Sequence, residues 1–131
     1  MKRKLLILPW LFYSGLIYIV SSHSLDHLPK LTILGWDKVI HMTEYFIYSL
    51  LTGIALEAFD DSDVKLNKIL LAFIITAMFG ASDEIHQYFV MGRSCSLFDW
   101  IADLLGATIG LFVFQKLNIT NKLQHVIFRK T

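Results

Sequence analysis

Four long apolar runs separated by short polar stretches decide what this chain can become. They cover residues 5–20, 39–59, 69–90 and 100–117. Each approaches the ~20 residues a helix needs to cross the hydrocarbon core of a bilayer, the first and last with help from flanking residues. The runs are continuous and lack two-residue alternation, so they read as helices rather than strands. The expected fold is all-α, a single-domain integral membrane bundle of four transmembrane helices over residues 1–131. Charged residues are only 18% of the chain, against roughly 25% in soluble domains, which agrees. Pro9 either occupies the opening turn of the first helix or kinks it. The basic, then apolar start resembles a signal peptide. Its apolar part is long, however, and no small-x-small site precedes Ser21 and Ser22, so it reads as a retained span.

Charge sets the expected topology. With the N-terminus in the cytoplasm, Lys2, Arg3, Lys4, Lys65, Lys68, Lys116, Lys122, Arg129 and Lys130 lie inside, and Lys30, Lys38 and Arg93 outside. That bias favours a multi-pass plasma-membrane protein with both termini cytoplasmic. Leu25, Leu28, Leu31, Ile33 and Leu34 make the first outer loop, 21–36, half apolar, so it should lie in the interface or dip over the helices. His23 and His27 within it, four apart, are only weak evidence of a metal site. Trp36 and Trp100 flank two spans at one expected depth, as in an aromatic belt. The tail, 118–131, should rest on the inner leaflet. Its Asn118-Ile119-Thr120 matches a glycosylation acceptor that would face the wrong side. The bilayer is the partner this pattern implies. Nothing points to nucleic acid, because the net charge is +1 and no basic run is interleaved with aromatics. The lone Cys95 excludes an internal disulfide and a Cys-rich zinc site.

The informative polar residues fall on helical faces. Offsets of i, i+4, i+7 and i+11 share a face. On the second run that face carries Asp37, His41, Glu44 and Tyr48. On the fourth it carries Asp99, Asp103, Gly106 and Gly110. On the third a comparable stripe holds Thr76, Gly80, Asp83 and Gln87, with Glu84 at its margin. The stretch 81–103 therefore joins the acidic ends of two spans through a short loop with Arg93. At ~1.5 Å per residue, Glu44 lies roughly 10 Å deeper than Asp37. A carboxylate at mid-membrane costs ~2.5–3.5 kcal/mol, so it persists most readily with a partner or a task. Gly106-x-x-x-Gly110 has the small-residue spacing that lets helices approach closely.

Asp37, Glu44, Asp83, Glu84, Asp99 and Asp103 face only Lys38 and Arg93 as firm cations. Like charges crowded in low dielectric cannot all ionise. Some are protonated, or pair with His41 or His86, or a cation binds. The first case suits proton transfer; the last makes a divalent metal ion the cofactor, with His41, Glu44, Glu84 and Asp103 as candidate ligands.

Three motifs, in order on three apolar segments, resemble the VanZ-like family of bacterial membrane proteins. They are Asp37-Lys38-x-x-His41-x-x-Glu44-Tyr45, then Asp83-Glu84-x-His86-Gln87-x-Phe89-Val90-x-Gly92-Arg93, then Asp99 with Gly106 and Gly110. The resemblance covers most of the chain, from Ser21 to Gly110. It implies several membrane helices and a link to glycopeptide resistance, teicoplanin especially, but supplies no reaction. Asp103 stands where the family pattern usually has Asn, and Met91 where Pro is common.

The expected function is an outer-leaflet polar site that binds, or binds and chemically alters, a polar lipid or cell-envelope precursor. Glu44, His41 and Glu84 are the candidate catalytic residues. Arg93 would hold an anionic group. Asp37, Asp83, Gln87, Asp99 and Asp103 would orient the others. Two alternatives stand beside it: a non-catalytic ionic network that fixes packing or receives an antibiotic or protein partner, and an ion- or proton-coupled pathway. The last is disfavoured because, apart from Glu57, the inner halves of the spans lack ionisable groups. Blander roles compete residue by residue. Asp37 and Asp99 could be N-caps, Lys38 reads as an interface anchor, His86 as peripheral, and Tyr45 and Tyr48 as packing or hydrogen-bonding residues.

Overall fold

The computed structural model describes residues 2–23, 36–59 and 65–117. His27, the apolar residues Leu25–Leu34 of the first loop, Asp60, Asp61, Asp63 and the tail with Asn118 lie outside the described residues. The described residues form a short 3₁₀ helix, Lys2–Ile7, and four α-helices: α1 (Leu8–Ser21), α2 (Trp36–Phe59), α3 (Lys65–Tyr88) and α4 (Leu97–Leu117).

Helices α2, α3 and α4 have 24, 24 and 21 residues. At ~1.5 Å per residue each is as long as the ~30 Å hydrocarbon core, or longer. All three contain stretches apolar enough to cross it. The first run differs from expectation. Its α-helix has 14 residues, and the preceding turn is wound as a 3₁₀ helix, whose ~2.0 Å rise covers more length per residue. Pro9 sits in the first turn of α1, where its missing N–H is no loss, so it marks a helix start rather than a kink.

The starts of the other three helices move outward from the apolar runs. Helix α2 begins at Trp36 and α4 at Leu97, taking Asp37 and Asp99 into their first turns. Free N–H groups and the helix dipole favour carboxylates there. Reading apolarity alone omits those turns. Helix α3 ends at Tyr88, short of Val90. The chain then turns through Gly92, whose φ of 81° lies where a side chain would be strained.

Burial is inverted relative to a soluble domain. Phe12, Met78, Phe89 and Phe112 are among many large apolar side chains left exposed. An exposed apolar surface of that extent requires a cover, and lipid supplies it for helices of this length. The interior is instead polar or small: Ser49, Thr52, Ala55, Ala72, Thr76, Ala102 and Ala107, with Tyr45, Tyr48 and Ile17 the largest wholly buried side chains. This is a multi-pass α-helical membrane protein.

Helices α2 and α4 make the most intimate pair. A methyl at Gly106 would collide with the Met42 carbonyl, and one at Gly110 with Ser49 Oγ and the Phe46 carbonyl. The two helices therefore meet backbone to backbone, as the small-residue spacing implied. Helix α3 packs on both. Helix α1 is fastened to α2 where the Trp10 indole N–H donates to Thr52 Oγ1 at 3.0 Å, and to α3 by Ser22 Oγ and His86 Nε2, 2.9 Å apart.

Candidate functional site

One end of α2, α3 and α4 gathers most of the polar residues singled out above. His41 of α2 is buried. An ionised carboxylate can only accept, so its ring Nδ1–H donates to Asp103 Oδ1 of α4 at 2.9 Å. Glu84 Oε1 of α3 is 4.0 Å from the same nitrogen. Asp99 Oδ1, one turn above Asp103, takes a short hydrogen bond from Lys38 Nζ, and Lys38 also reaches Asp37 Oδ2 at 2.6 Å. Thus four residues from three helices, His41, Glu84, Asp99 and Asp103, form one cluster, with Lys38 at its rim.

The start of α4 explains how Glu84 is held. Ser96 caps that helix: the Asp99 N–H donates to Ser96 Oγ at 3.3 Å. Ser-x-x-Asp is the spacing of a reciprocal cap, in which the acid would bond back to the serine N–H. Here Glu84 of α3 takes that N–H instead, Ser96 donating to Glu84 Oε2 at 2.7 Å. Glu84 thereby docks α3 on α4, and Asp99 keeps its carboxylate for the cluster.

The remaining candidates arrange themselves around this centre. Gln87 Nε2 donates to Asp83 Oδ2 at 2.9 Å, and both are buried. Glu44 is half-buried, and the charges of His41, Asp83, Asp103 and Arg93 all bear on it. Arg93 sits in the loop between α3 and α4, its Nη2 near the Val20 carbonyl at 3.5 Å. Asp37 is the outlier: exposed, paired with Lys38, at the edge. One donor atom each from two candidate ligands, His41 and Glu84, and from Asp99 lie within 4.8 Å of one another. Asp99, taken from sequence as an orienting residue, thus stands with His41 and Glu84 in place of Glu44 or Asp103.

Several buried polar atoms have no hydrogen-bond partner: Glu84 Oε1, Asp103 Oδ2, Tyr45 Oη, Thr76 Oγ1 and Arg93 Nε. Glu84 is 3% exposed and Asp103 1%. Leaving such groups unpaired costs ~1–3 kcal/mol each, and more when they are charged.

Several residues do more than the sequence reading assigned them. Lys38 looked like an interface anchor, yet it bridges Asp37 and Asp99; its place three residues before His41 was the available signal. Ser96 could have been found from its capping spacing to Asp99. Tyr45 is wholly buried. A methyl on Gly80 would lie 3.1 Å from the Tyr45 ring and 3.2 Å from Asp103 Oδ2, so that glycine lets α3 close over both. Trp100 turns inward rather than out to an interfacial belt, its indole N–H donating to the Ala77 carbonyl at 3.0 Å. His86, expected to be peripheral, is the α1 clasp, and also stacks on Tyr18 with ring centroids 4.6 Å apart.

The fold and this buried polar centre define a class: multi-pass helical membrane proteins with an ionisable site built by three spans. Within that class the chain belongs to the VanZ/LLP1 family, whose profile matches residues 5–119. It is also similar to the uncharacterized protein C11E3.10 of Schizosaccharomyces pombe, 30% identical over 99 residues, which are 75% of this chain and 58% of the relative. The chain thus spans less than two thirds of that relative's length. No solved structure matches it.

Proposed function

We propose that this protein binds an anionic lipid headgroup or lipid-linked envelope precursor at the cluster and alters it by proton transfer. One observation carries the reading: His41, Glu84, Asp99 and Asp103 come from three helices to one buried place, with two carboxylate oxygens unpaired. His41, oriented by Asp103, serves as acid and base, the arrangement that makes imidazole useful near neutral pH. Glu84 and Glu44 complete the proton path. Arg93, whose buried Nε lacks an acceptor, grips the anionic group. Lys38 neutralises Asp99, and Asp37 at the edge and the buried Asp83 and Gln87 orient the others.

The cluster faces the outer leaflet, with both termini cytoplasmic in a bacterial plasma membrane; the Lys and Arg distribution supports that orientation. Altering an exposed envelope precursor would connect the site to glycopeptide resistance, of the teicoplanin kind, through the family. A relative in a yeast favours a ligand chemistry common to many membranes, a phosphorylated lipid, over one confined to bacterial walls.

The competing reading, a purely structural network, draws on the Lys38–Asp99 and Ser96–Glu84 bonds that tie helices together. A network built only for packing would pair its buried oxygens, and this one leaves Glu84 Oε1 and Asp103 Oδ2 without partners. Native mass spectrometry of purified protein with anionic and zwitterionic phospholipids tests the choice. Retention of the anionic lipid, lost in Arg93→Gln, is the expected outcome. Equal retention of both lipids, unchanged in Arg93→Gln, rules out the headgroup site.

A further inference from the structure

We propose that His41, Glu84 and Asp99 form the binding site for a divalent transition-metal ion, Zn²⁺ or Mn²⁺. The site stands on its own geometry and does not require the lipid chemistry above; with an ion bound, His41 and Glu84 would act as ligands rather than as acid and base. One ring nitrogen and two carboxylate oxygens lie within 4.8 Å of one another, a separation that a metal ion could bridge after small side-chain adjustments, since such ions sit ~2.0–2.2 Å from N and O donors.

Independent of that proximity, Glu84 points an unpartnered oxygen into the cluster. Its Oε2 is held by the Ser96 N–H. Its Oε1 is buried, has no hydrogen-bond donor, and faces His41 at 4.0 Å. An acceptor fixed on one side and open on the other is how a ligand waits for a cation. Asp103 supplies the outer support. It hydrogen-bonds His41 Nδ1, the same ring nitrogen that lies 4.0 Å from Glu84 Oε1, and so holds the imidazole at a fixed angle to the cluster.

Charge points the same way. Glu84, Asp99 and Asp103 carry three negative charges, and Lys38 on Asp99 offsets one. Lys38 also pairs with Asp37, so with His41 neutral the acids stay in excess and a dication would offset part of that excess. A mixed imidazole and carboxylate set favours Zn²⁺ or Mn²⁺ over Mg²⁺ and Ca²⁺, which prefer oxygen alone. Three protein donors also leave a coordination position open for water or an anionic ligand.

The test uses the purified full chain in detergent, stripped with chelator and titrated with Zn²⁺, Mn²⁺ or Mg²⁺ alone. Elemental analysis and equilibrium binding should show one Zn²⁺ or Mn²⁺ per chain, held more tightly than Mg²⁺. Cys95→Ser should bind equally, since Cys95 is an exposed free thiol and the obvious adventitious zinc ligand. Glu84→Gln and Asp99→Asn should each weaken binding by at least ~10-fold. Pulsed electron paramagnetic resonance of the Mn²⁺-loaded wild-type chain should show coupling to a histidine nitrogen. It decides the matter even where a variant fails to fold. No uptake, uptake lost in Cys95→Ser, unchanged binding in both carboxylate variants, or no nitrogen coupling overturns the site. No lipid enters these measurements, so metal uptake with no lipid retained would overturn the headgroup reading and leave this one standing.

Discussion

Helix α2 carries charge at both ends, and the two ends are built differently. Near its C-terminal end Glu57 meets Lys68 of α3 at 3.5 Å, an acid with a cation in reach, both partly buried. No unpaired buried atom belongs to either residue. Near its N-terminal end His41 sits among Glu84, Asp99 and Asp103, where acids outnumber cations and two buried oxygens lack donors. The contrast separates two uses of charge in a membrane helix. A balanced pair lets helices tolerate charge at little net gain. An unbalanced cluster costs stability, and it persists when a ligand or reaction offsets the cost.

Four substitutions break or sharpen that contrast, in descending order of effect. Gly106→Leu should be the most damaging, because the seam holding α2 against α4 has no room for a side chain. A loss above ~4 kcal/mol is expected, since overpacking and backbone displacement combine. Reversible unfolding in mixed detergent micelles measures it. Near-wild-type stability would mean the seam does not set the register of the site.

Glu84→Gln comes next and acts on function. Gln keeps an oxygen for the Ser96 N–H, so the fold should survive while turnover of the lipid substrate falls ~10²–10⁴-fold, the usual weight of an acid–base group. A turnover assay with the purified variant, beside its unfolding curve, checks both halves. Full turnover would make this end as structural as the Glu57 end.

Ser22→Ala removes the clasp between α1 and His86 and should cost about 1 kcal/mol, the net worth of one hydrogen bond. The change should appear as faster proteolysis or deuterium exchange in α1 alone. Smallest of all, Glu57→Gln should alter stability by less than ~1 kcal/mol and leave ligand binding untouched. A large functional effect there would erase the distinction between the two ends.

The helices and their polar faces were legible in the sequence because both follow from local spacing. Three apolar runs became α2, α3 and α4, and the stripes with His41, Asp83 and Asp103 turned inward. Which members of the stripes touch was not legible. A face fixes direction but not the slide of one helix along another. That slide is set by Gly106 beside Met42 and Gly110 beside Phe46, contacts between residues ~60 apart in sequence. It brings Asp99 level with Glu84 and His41 and leaves Asp37 at the edge. Capture of the Ser96 N–H by Glu84 was hidden for the same reason: local rules assign that donor to Asp99, and a neighbouring helix outcompetes it. Trp100 misled because amphipathic aromatics suit both an interface and a groove between helices.

The glycine seam has a mechanical consequence. Met42 adjoins His41 in the chain, and Gly106 lies less than one turn from Asp103, so the contact joining α2 to α4 also fixes the imidazole against its aspartate. Two backbones in van der Waals contact have no side chains between them to repack, and they move as one body. Helix α3 is held by side chains, Glu84 on Ser96 and Trp100 on Ala77, and these can let go. A headgroup too large for the closed cluster would therefore enter by tilting α3 aside, carrying Glu84 away from His41 and returning it as the helix settles.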